Sequence, residues 1–355
     1  MCVKPDESFH AMARRPTITD VARQAGVSIA TVDRVLNGRE RVREDTARLV
    51  YEAAQKLGYH AAAAIERRIQ AGQPEIRFGV VLHKQGQDFY KAFAEELHRA
   101  VAARQGIQGR LVLEFSASQA PSDMAAMLRS MAGRCDVLAA TAVNHPEVSA
   151  AVEDLRRGGL DVYSLLSDFA QGTRTGYVGL DNLKVGRAAA WMMTKVARGP
   201  GKVAIFVGGH RWHGHELREM GFRAYMRESA PDLEVLDPLV NLETRQLTYE
   251  TTLGLLTRKP DLRGVYVAGG GMEGAIAAMR EARGNRDVSL VVSALTGDSR
   301  AGLAEGHVTM VIDTPLEKLC RELIAQMDRD VRGLRAGGET DQLFLPPDIH
   351  LPESV

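Results

Sequence analysis

Apolar residues recur every three or four positions through roughly the first sixty residues, which is the period of an amphipathic helix. Thr17 or Thr19 can cap a first helix that stops at Gly26, and Ser28 can cap a second. Glycine permits the left-handed backbone of a tight turn between them. The pattern predicts helices at 20–25, 29–36 and about 43–57, and the order helix, short turn, helix is typical of a helix-turn-helix.

From residue 76 onward, short apolar runs alternate with helical patterns. The predicted strands are 77–82, 109–115, 137–141, 161–165, 177–179, 202–207, 234–239, 264–267, 289–293 and 309–312. The predicted helices are 90–103, 123–132, 146–157, 185–198, 216–229, 247–258, 273–283 and 316–332. Such alternation indicates an α/β fold of parallel sheets with right-handed crossovers. This many strands favour two doubly wound lobes over one sheet, preceded by the small all-α domain.

Composition narrows the class of protein. Of the 355 residues, 45% are hydrophobic and 25% are charged, which is typical of a globular protein, and no apolar run is long enough to span a membrane. The first fifteen residues lack the apolar region of a secretory signal, and the scattered Cys2, Cys135 and Cys320 favour a reduced, cytoplasmic protein. The formal net charge is zero, yet positions 14–68 hold eleven Lys or Arg against seven Asp or Glu, an excess of four positive charges. A basic head suits a DNA-binding domain, although a solvated surface would also account for it.

The run ITDVARQAGVSIATVDRVLNG at 18–38, with Ala54, Leu57, Gly58 and Tyr59 after it, closely resembles the headpiece of the lactose-repressor (LacI/GalR) family of transcription regulators. The resemblance implies that the second helix enters the major groove with its N-terminal side chains on base edges. Ile29 and Ala30 would contact thymine methyl groups, and Arg34 would donate twice to a guanine.

Other residues of this segment are expected to contact DNA differently. The hydroxyl groups of Thr19, Ser28 and Thr31 suit phosphates, although Ser28 could serve only as a helix cap, and Asn37 is a further candidate. Asp33 stands where the family commonly has a serine. Its carboxylate would either accept a hydrogen bond from cytosine or orient the surroundings of Arg34, so the operator sequence stays open.

After Tyr59 the family carries a hinge helix that inserts an apolar side chain into the minor groove. Residues 60–72 are rich in alanine and favour a helix, but they lack the Pro-Asn and the leucine that are usual in the family. Ile69 is the first candidate for the inserted side chain and Ile65 the second. An ordinary linker helix without insertion is the alternative.

The pattern from Ile76 onward resembles the periplasmic-binding-protein-like effector domain of the same family. The resemblance implies the domain organisation, which comprises a disordered lead at 1–15, a helix-turn-helix domain at 16–58, a hinge helix or linker at 59–75, an N-terminal lobe at 76–183 plus 314–340, and a C-terminal lobe at 184–313 plus 341–355. It also implies that the chain crosses between the lobes near Leu183, near Asp313–Thr314 and near Gly338–Gln342.

In such a domain a ligand lies between the lobes, at the carboxyl ends of the strands. The resemblance implies that Arg218 holds effector hydroxyl groups and that Phe89 or Tyr90 stacks on the ligand. Asn144 and Asp168 are weaker candidates because both residue types also form turns. The full set of expected effector-binding residues is Phe89, Tyr90, Asn144, Asp168, Arg218, Gly270 and Thr314.

Two positions depart from the family pattern. Ala294 stands where relatives often carry an acid, and Thr314 stands where they often carry glutamine. A pocket that lacks this family carboxylate, with Arg218 in it and with Arg211 and three histidines close in sequence, could accept an anion. A sugar or sugar derivative is the expected effector, with a sugar phosphate or an organic acid as the alternative.

Three other protein classes are disfavoured. The glycine pattern at 269–274 satisfies G-x-G-x-x-G, but the next strand does not end in the acid that a dinucleotide-binding site needs. His210, His213 and His215 lack the spacing of a metal site, and no catalytic constellation stands out, so neither a cofactor, nor a metal, nor an enzymatic activity is expected. A transport receptor would not carry the helix-turn-helix.

The expected protein is therefore a regulator of transcription, in the form of a repressor, that responds to a small molecule. One recognition helix reads only a half-site. The expected partners are consequently a pseudo-palindromic operator DNA, the effector, and a second copy of the chain joined through the large domain.

Overall fold

A computed structural model of the chain describes residues 15–37, 42–282, 287–334 and 341–355, without the side chains of Glu44, Ile69, Gln70 and Ala71. The chain divides into two compact units. The first runs to Glu75 and includes Gln105–Gln108, and the second holds the remainder. Along the described residues, no helix combines the length and the apolar character needed to cross a bilayer.

The first unit is helical. Thr17 caps the first helix, since its hydroxyl accepts from the backbone N–H of Asp20 while the Asp20 carboxylate accepts from the N–H of Thr17. Gly26 ends that helix in the left-handed conformation with φ of 67°. Val21, Val32 and several alanines are buried where the helices meet. The helices are α1 (Ile18–Ala25), α2 (Ile29–Asn37), α3 (Glu44–Lys56) and α4 (Ala62–Ala71).

Helix α4 occupies the segment in which a hinge helix was expected. Ile65 of this helix is fully buried in the same core as Val21 and Val50. The structure therefore does not offer Ile65 as a side chain for insertion into DNA, because its helical period turns it toward α2 and α3. The first candidate, Ile69, lies within α4, but its side chain falls outside the described residues.

The N-terminal lobe of the second unit is a six-stranded sheet in the order β12-β5-β4-β3-β1-β2. The described pairings of β1, β3, β4, β5 and β12 are parallel, and β3 is buried along its whole length because helices cover both faces. The elements are β1 (Glu75–His83), α5 (Asp88–Ala103), β2 (Gln108–Ser116), α6 (Pro121–Ser130), β3 (Val137–Ala140), α7 (Pro146–Arg157), β4 (Asp161–Leu165), β5 (Gly176–Leu180), α13 (Leu316–Val331) and β12 (Gln342–Leu345).

The C-terminal lobe has a sheet in the order β13-β11-β10-β9-β6-β7, with β8 also paired to β6. Its pairings are parallel except for the edge strand β13, which runs antiparallel to β11. The elements are α8 (Asn182–Val196), β6 (Gly201–Val207), α9 (His213–Ser229), β7 (Leu233–Val235), β8 (Leu239–Val240), α10 (Arg245–Arg258), β9 (Leu262–Val267), α11 (Met272–Glu281), β10 (Ser289–Val292), α12 (Gly297–Ala304), β11 (Met310–Asp313) and β13 (Asp348–His350), followed by a 3-10 turn at Pro352–Ser354.

The chain crosses between the lobes three times. It leaves the N-terminal lobe between β5 and α8 and returns between β11 and α13. The prediction of a third crossing near Gly338–Gln342, with all of 341–355 in the C-terminal lobe, is wrong at Gln342–Leu345. These residues pair with β5 of the N-terminal sheet, and the crossing comes at Pro346–Pro347, where two prolines interrupt the ladder. The last residues therefore supply one edge strand to each lobe.

Helices α8 and α9 pack closely because glycine stands at both contact points. A Cβ atom on Gly186 would lie 1.9 Å from the carbonyl oxygen of Arg218, and one on Gly221 would lie 2.1 Å from that of Leu183. Residues with side chains at these positions would hold the helices apart. The backbone of Arg218 is thus located by direct contact with α8.

Candidate functional site

Helix α2 presents a solvent-exposed surface at the residues expected to contact DNA. Ile29 is 49% exposed although it is a large apolar side chain, and Ala30, Arg34 and Asn37 are exposed as well. Burying an apolar side chain is the usual outcome, so an exposed isoleucine at the start of a helix is consistent with a contact surface. The structure brings these four residues together on one short helix.

The polar residues of the headpiece make local contacts. The Ser28 hydroxyl accepts from the backbone N–H of Thr31 at 3.1 Å and lies 2.9 Å from the Thr31 hydroxyl, so Ser28 does cap α2. The carboxylate of Asp33 accepts from the Asn37 amide at 2.6 Å, one turn along the helix. Thr19 lies exposed within α1, whose cap is Thr17. Asp33 therefore orients Asn37 in this structure.

The second candidate site is a cavity of about 90 Å³ between the two lobes. Loops that follow the carboxyl ends of strands from both sheets form its wall, as the fold requires. Five of the seven expected effector-binding residues lie there, namely Phe89, Tyr90, Arg218, Gly270 and Thr314. Residues that the sequence did not single out for this role also line it, including Gln87, Thr141, Asn182, Trp212, Glu243 and Glu273.

Arg218 reaches the cavity from α9 and is held by two acceptors. Its Nε donates to the Asn182 side chain at 2.7 Å, and its Nη1 donates to the carbonyl oxygen of Ala268 at 2.7 Å. Asn182 in turn donates to the carbonyl oxygen of Leu166 at 3.0 Å. The guanidinium is therefore fixed in place before any ligand arrives, which lowers the entropic cost of binding.

Glu243, which follows β8, is buried at the boundary of the two lobes. Lys84 Nζ lies 2.9 Å from its Oε2, and the Gln119 amide donates to the same oxygen at 3.1 Å. On its own lobe, the backbone N–H of Gly270 donates to Oε1 at 3.2 Å, and His215 Nε2 lies 3.6 Å from that oxygen. Both carboxylate oxygens are thus satisfied, with partners from both lobes.

The electrostatics of this cluster follow from burial and from charge. Burial acts to raise the pKa of Glu243, but the adjacent His83 and the positive charge of Lys84 outweigh it and hold the pKa well below its usual value. Burial lowers the pKa of His215 to about 4, and the nearby Glu243 only partly offsets this effect. The backbone N–H of Gly208 donates to His215 Nδ1 at 3.0 Å, which fits a neutral ring.

Two aromatic residues cross from one lobe into the other. Trp212 comes from the C-terminal lobe, is 5% exposed, and belongs to the apolar core of the N-terminal lobe, where its ring stacks on His83 with centroids 4.8 Å apart. Phe89 comes from the N-terminal lobe and packs against the core of the C-terminal lobe. The lobes are therefore interlocked in the closed arrangement around the cavity.

Two of the expected effector residues lie away from the cavity wall. Asp168 is buried in an ion pair with Arg174 and a hydrogen bond with Ser164, so its carboxylate serves packing of the N-terminal lobe. Asn144 is exposed, and its backbone N–H donates to the carbonyl oxygen of Arg211. The position of these two residues after a strand correctly predicted that their loops lie near the cleft, but it did not predict the direction of their side chains.

The wall contains carboxylates that the sequence did not single out. Ala294 lines it as expected, and Glu243 and Glu273 line it as well. Burial raises the pKa of Glu273, as expected for a carboxyl group withdrawn from water. The loop that carries Glu243 follows the short strand β8, and the sequence pattern did not place it among the loops facing the cleft.

Comparison with known protein families identifies a headpiece and a large domain, in agreement with the two units of the structure. Residues 17–61 match the family model described as bacterial regulatory proteins, lacI family. Residues 78–334, more than half of the chain, match the periplasmic binding protein domain.

Individual relatives are similar over much of the chain. The HTH-type transcriptional regulator GntR of Pseudomonas aeruginosa is 29% identical over 256 residues, which is 71% of each chain. GalS of Salmonella typhimurium is 30% identical over 60% of this chain and 59% of its own. The glucose-galactose binding protein GanP of Geobacillus stearothermophilus shares the fold, with a TM-score of 0.71 at 15% identity over 80% of this chain and 99% of its own. The chain belongs to the lacI family of bacterial transcription regulators and carries a periplasmic-binding-protein domain behind its helix-turn-helix headpiece.

Proposed function

We propose that the chain is a repressor that binds a pseudo-palindromic operator through α2, and that its operator affinity changes when a sugar or sugar derivative binds between the lobes. The observation that carries the proposal is the closed cavity at the facing carboxyl ends of two sheets, with Arg218 fixed in its wall. Exposed Ile29 and Arg34 on α2 support the DNA-binding half.

The charges of the cavity favour a neutral, hydroxyl-rich effector over an anion. The charged side chains in its wall are those of Arg218, Glu243 and Glu273. A sugar phosphate or organic acid would lie beside two carboxylates, and like charges at close range cost binding free energy. Lys84, the nearest ammonium, is already paired with Glu243. Hydroxyl groups, by contrast, can donate to Glu273 and accept from Arg218.

We further propose that the chain acts as a homodimer joined through the large domain, since each copy contributes one α2 and each α2 reads one half-site. Analytical ultracentrifugation at micromolar concentration is expected to show a dimer. A monomer that retains full operator affinity would exclude this arrangement.

Replacing Arg34 with alanine is expected to relax base preference at one position of each half-site and to cost roughly 1–3 kcal/mol at the preferred base. The reason is that a guanidinium can donate two hydrogen bonds to guanine in the major groove. A binding selection on randomised operator DNA measures the preference. Arg48→Ala removes the same charge from α3 and should weaken binding to all sequences alike. An equally uniform loss in Arg34→Ala would assign Arg34 to the phosphates instead.

The effector half is tested with a thermal-shift series of neutral sugars, the matching sugar phosphates and the matching sugar acids. A ligand that binds only the folded state raises the unfolding temperature. Stabilisation by neutral members is expected, and stabilisation by the phosphates or acids alone would contradict the proposed class.

Arg218→Ala is expected to abolish stabilisation by whichever sugar binds, whereas Arg227→Ala, an exposed arginine on the same helix, should leave it intact. Operator affinity measured with and without that sugar should differ by about 5- to 150-fold, the usual range of allosteric coupling. If Arg218→Ala binds the sugar normally, the effector site does not include Arg218. If the sugar binds tightly but operator affinity does not change, the cleft has no regulatory role.

A further inference from the structure

We propose that Glu243 is a tethered ligand of the opposite lobe: its carboxylate fills a carboxylate-binding cradle on the N-terminal lobe and thereby holds the two lobes closed when no effector is present. The proposal goes beyond the regulatory function, because it concerns the effector-free receptor.

The cradle consists of donors from two loops of the N-terminal lobe. Lys84 and His83 end β1, and Gln119 follows β2. Lys84 Nζ lies 2.9 Å from Oε2 of Glu243, the Gln119 amide lies 3.1 Å from it, and His83 Nε2 lies 3.8 Å from it. Gln87 adds a hydrogen bond to the backbone carbonyl oxygen of Glu243 at 3.0 Å. The ammonium and the amide that bind this carboxylate oxygen form the kind of charge-assisted site that binds carboxylates, while His83 lies beside it with its Nε2 paired to the Tyr90 hydroxyl at 2.7 Å.

The backbone is bent to deliver this carboxylate. Leu242 and Glu243 both adopt positive φ, at 49° and 53°, and Lys84 across the boundary does so too, at 53°. Non-glycine residues seldom adopt this conformation, and where they do the surrounding contacts must stabilise it. Here the three residues contact one another, since Lys84 Nζ also donates to the carbonyl oxygen of Leu242 at 2.9 Å. The strained segment and the buried ion pair are thus parts of one contact between the lobes.

The contacts of Glu243 also explain why its carboxylate joins the two lobes and does not serve as a hydrogen-bond acceptor for the effector. Donors from Lys84, Gln119 and Gly270 already occupy its oxygens. An effector that took Glu243 as its own acceptor would leave the half-buried Lys84 without its counter-charge, which costs binding free energy. Among the residues that the structure describes, Glu273 in the same wall makes no such ion pair with the N-terminal lobe.

A receptor closed by its own side chain differs from one that closes only on its ligand. The apparent affinity for a ligand is reduced by the fraction of receptor that is in the binding-competent arrangement. When Glu243 keeps most of the receptor in the closed arrangement, the effector binds more tightly because it does not have to close the lobes itself. The effector can then change the lobe orientation only to a correspondingly smaller extent.

The test compares lobe separation in effector-free variants of the full chain. Spin labels at Glu153→Cys on α7 and Glu250→Cys on α10, both exposed, in a Cys2→Ser background, report the distance between lobes by pulsed electron paramagnetic resonance. Glu243→Gly removes the carboxylate and accepts the positive φ. Leu242→Gly is the matched control, because it relieves the same kind of backbone strain at a side chain that is 55% exposed.

The expected result is a single short-distance population in the parent protein and in Leu242→Gly, and a loss of that population toward longer distances in Glu243→Gly. Lys84→Met should reproduce the effect, and the double variant Lys84→Met/Glu243→Gly should add little, since one contact is removed in each case. Unchanged distances in Glu243→Gly, or an equal change in Leu242→Gly, would overturn the proposal.

Rescue by a free carboxylate tests the cradle itself. Sodium acetate, compared with sodium chloride at equal ionic strength, is expected to restore the short distance and raise the unfolding temperature of Glu243→Gly. It should have no such effect on Lys84→Met/Glu243→Gly. Failure of acetate to distinguish the two variants would show that the cradle does not bind carboxylates. None of these measurements involves DNA or sugar, so their failure would leave the regulatory function standing.

Discussion

Asp168→Ala is expected to lower the free energy of unfolding by roughly 3 kcal/mol, the lower end of the usual cost of breaking a buried ion pair, because Arg174 keeps only its contact with the exposed carboxylate of Asp341 at 3.0 Å. Arg174 is 1% exposed at its side chain and makes two hydrogen bonds to the Asp168 carboxylate, at 2.5 and 2.8 Å. Burial acts to raise the pKa of Asp168, but the hydrogen bonds from Arg174 and Ser164 outweigh it and the pKa is lowered. The carboxylate is therefore ionised and committed to the ion pair.

Denaturant unfolding monitored by circular dichroism measures this loss. The control is Asp154→Ala, which removes a half-exposed partner of Arg129 and should cost far less, because surface ion pairs contribute little. Sugar affinity of the folded Asp168→Ala protein should stay near that of the parent. Native stability combined with lost sugar binding would instead return Asp168 to the effector site.

Gly186→Ala is expected to destabilise the C-terminal lobe by about 1–3 kcal/mol or more, and to weaken sugar binding at the same time. The added Cβ would lie 1.9 Å from the carbonyl oxygen of Arg218, so α8 and α9 must move apart. Movement of α9 shifts the guanidinium of Arg218 relative to its two acceptors. The coupled loss is the distinguishing feature, since an ordinary packing defect would lower stability alone.

Gly297→Ala provides the comparison, because a Cβ atom there has no neighbour within 4 Å. Its unfolding free energy should be unchanged or slightly higher, since alanine restricts the unfolded chain. Gly221→Ala, on the opposite side of the same helix contact, should behave like Gly186→Ala. A neutral result for both helix-contact variants would mean that α8 and α9 can separate without cost.

Local pattern was sufficient to predict most helices and strands, because period and caps are encoded in neighbouring residues. Helix α2 and the strand at Asp161–Leu165 illustrate this. Helix α12 was missed because its cap at Thr296 is closed by Ser299 in place of the more familiar glutamate or glutamine. The edge strand β12 was missed because it precedes two prolines, which read as the end of ordered pairing.

The site was predicted less completely, and for a physical reason. Arg218 could be found because it resembles a known family position, whereas Glu243 meets Lys84 across 159 positions of sequence. Asn241 begins the turn, and its side-chain oxygen accepts from the backbone N–H of Glu243 at 2.8 Å, so a turn signal is present in the sequence, but it does not specify positive φ at Leu242 and Glu243. Asp168 had the expected residue type and location, but its direction depends on Arg174, which lies six positions further along the same loop and takes the carboxylate as its ion-pair partner.

Both lobes need a strand from the last described residues, so both sheets are complete only after these residues have been translated. β12 is the edge strand beside β5 in the N-terminal lobe, and β13 is the edge strand beside β11 in the C-terminal lobe. If translation terminates before Gln342, the released chain has neither strand, and the apolar strands β5 and β11 become the edges of their sheets. Exposed apolar edge strands pair with other chains and lead to aggregation. Prematurely terminated chains are therefore expected to be degraded as misfolded protein. They would not accumulate as repressors that bind operators but cannot respond to the effector.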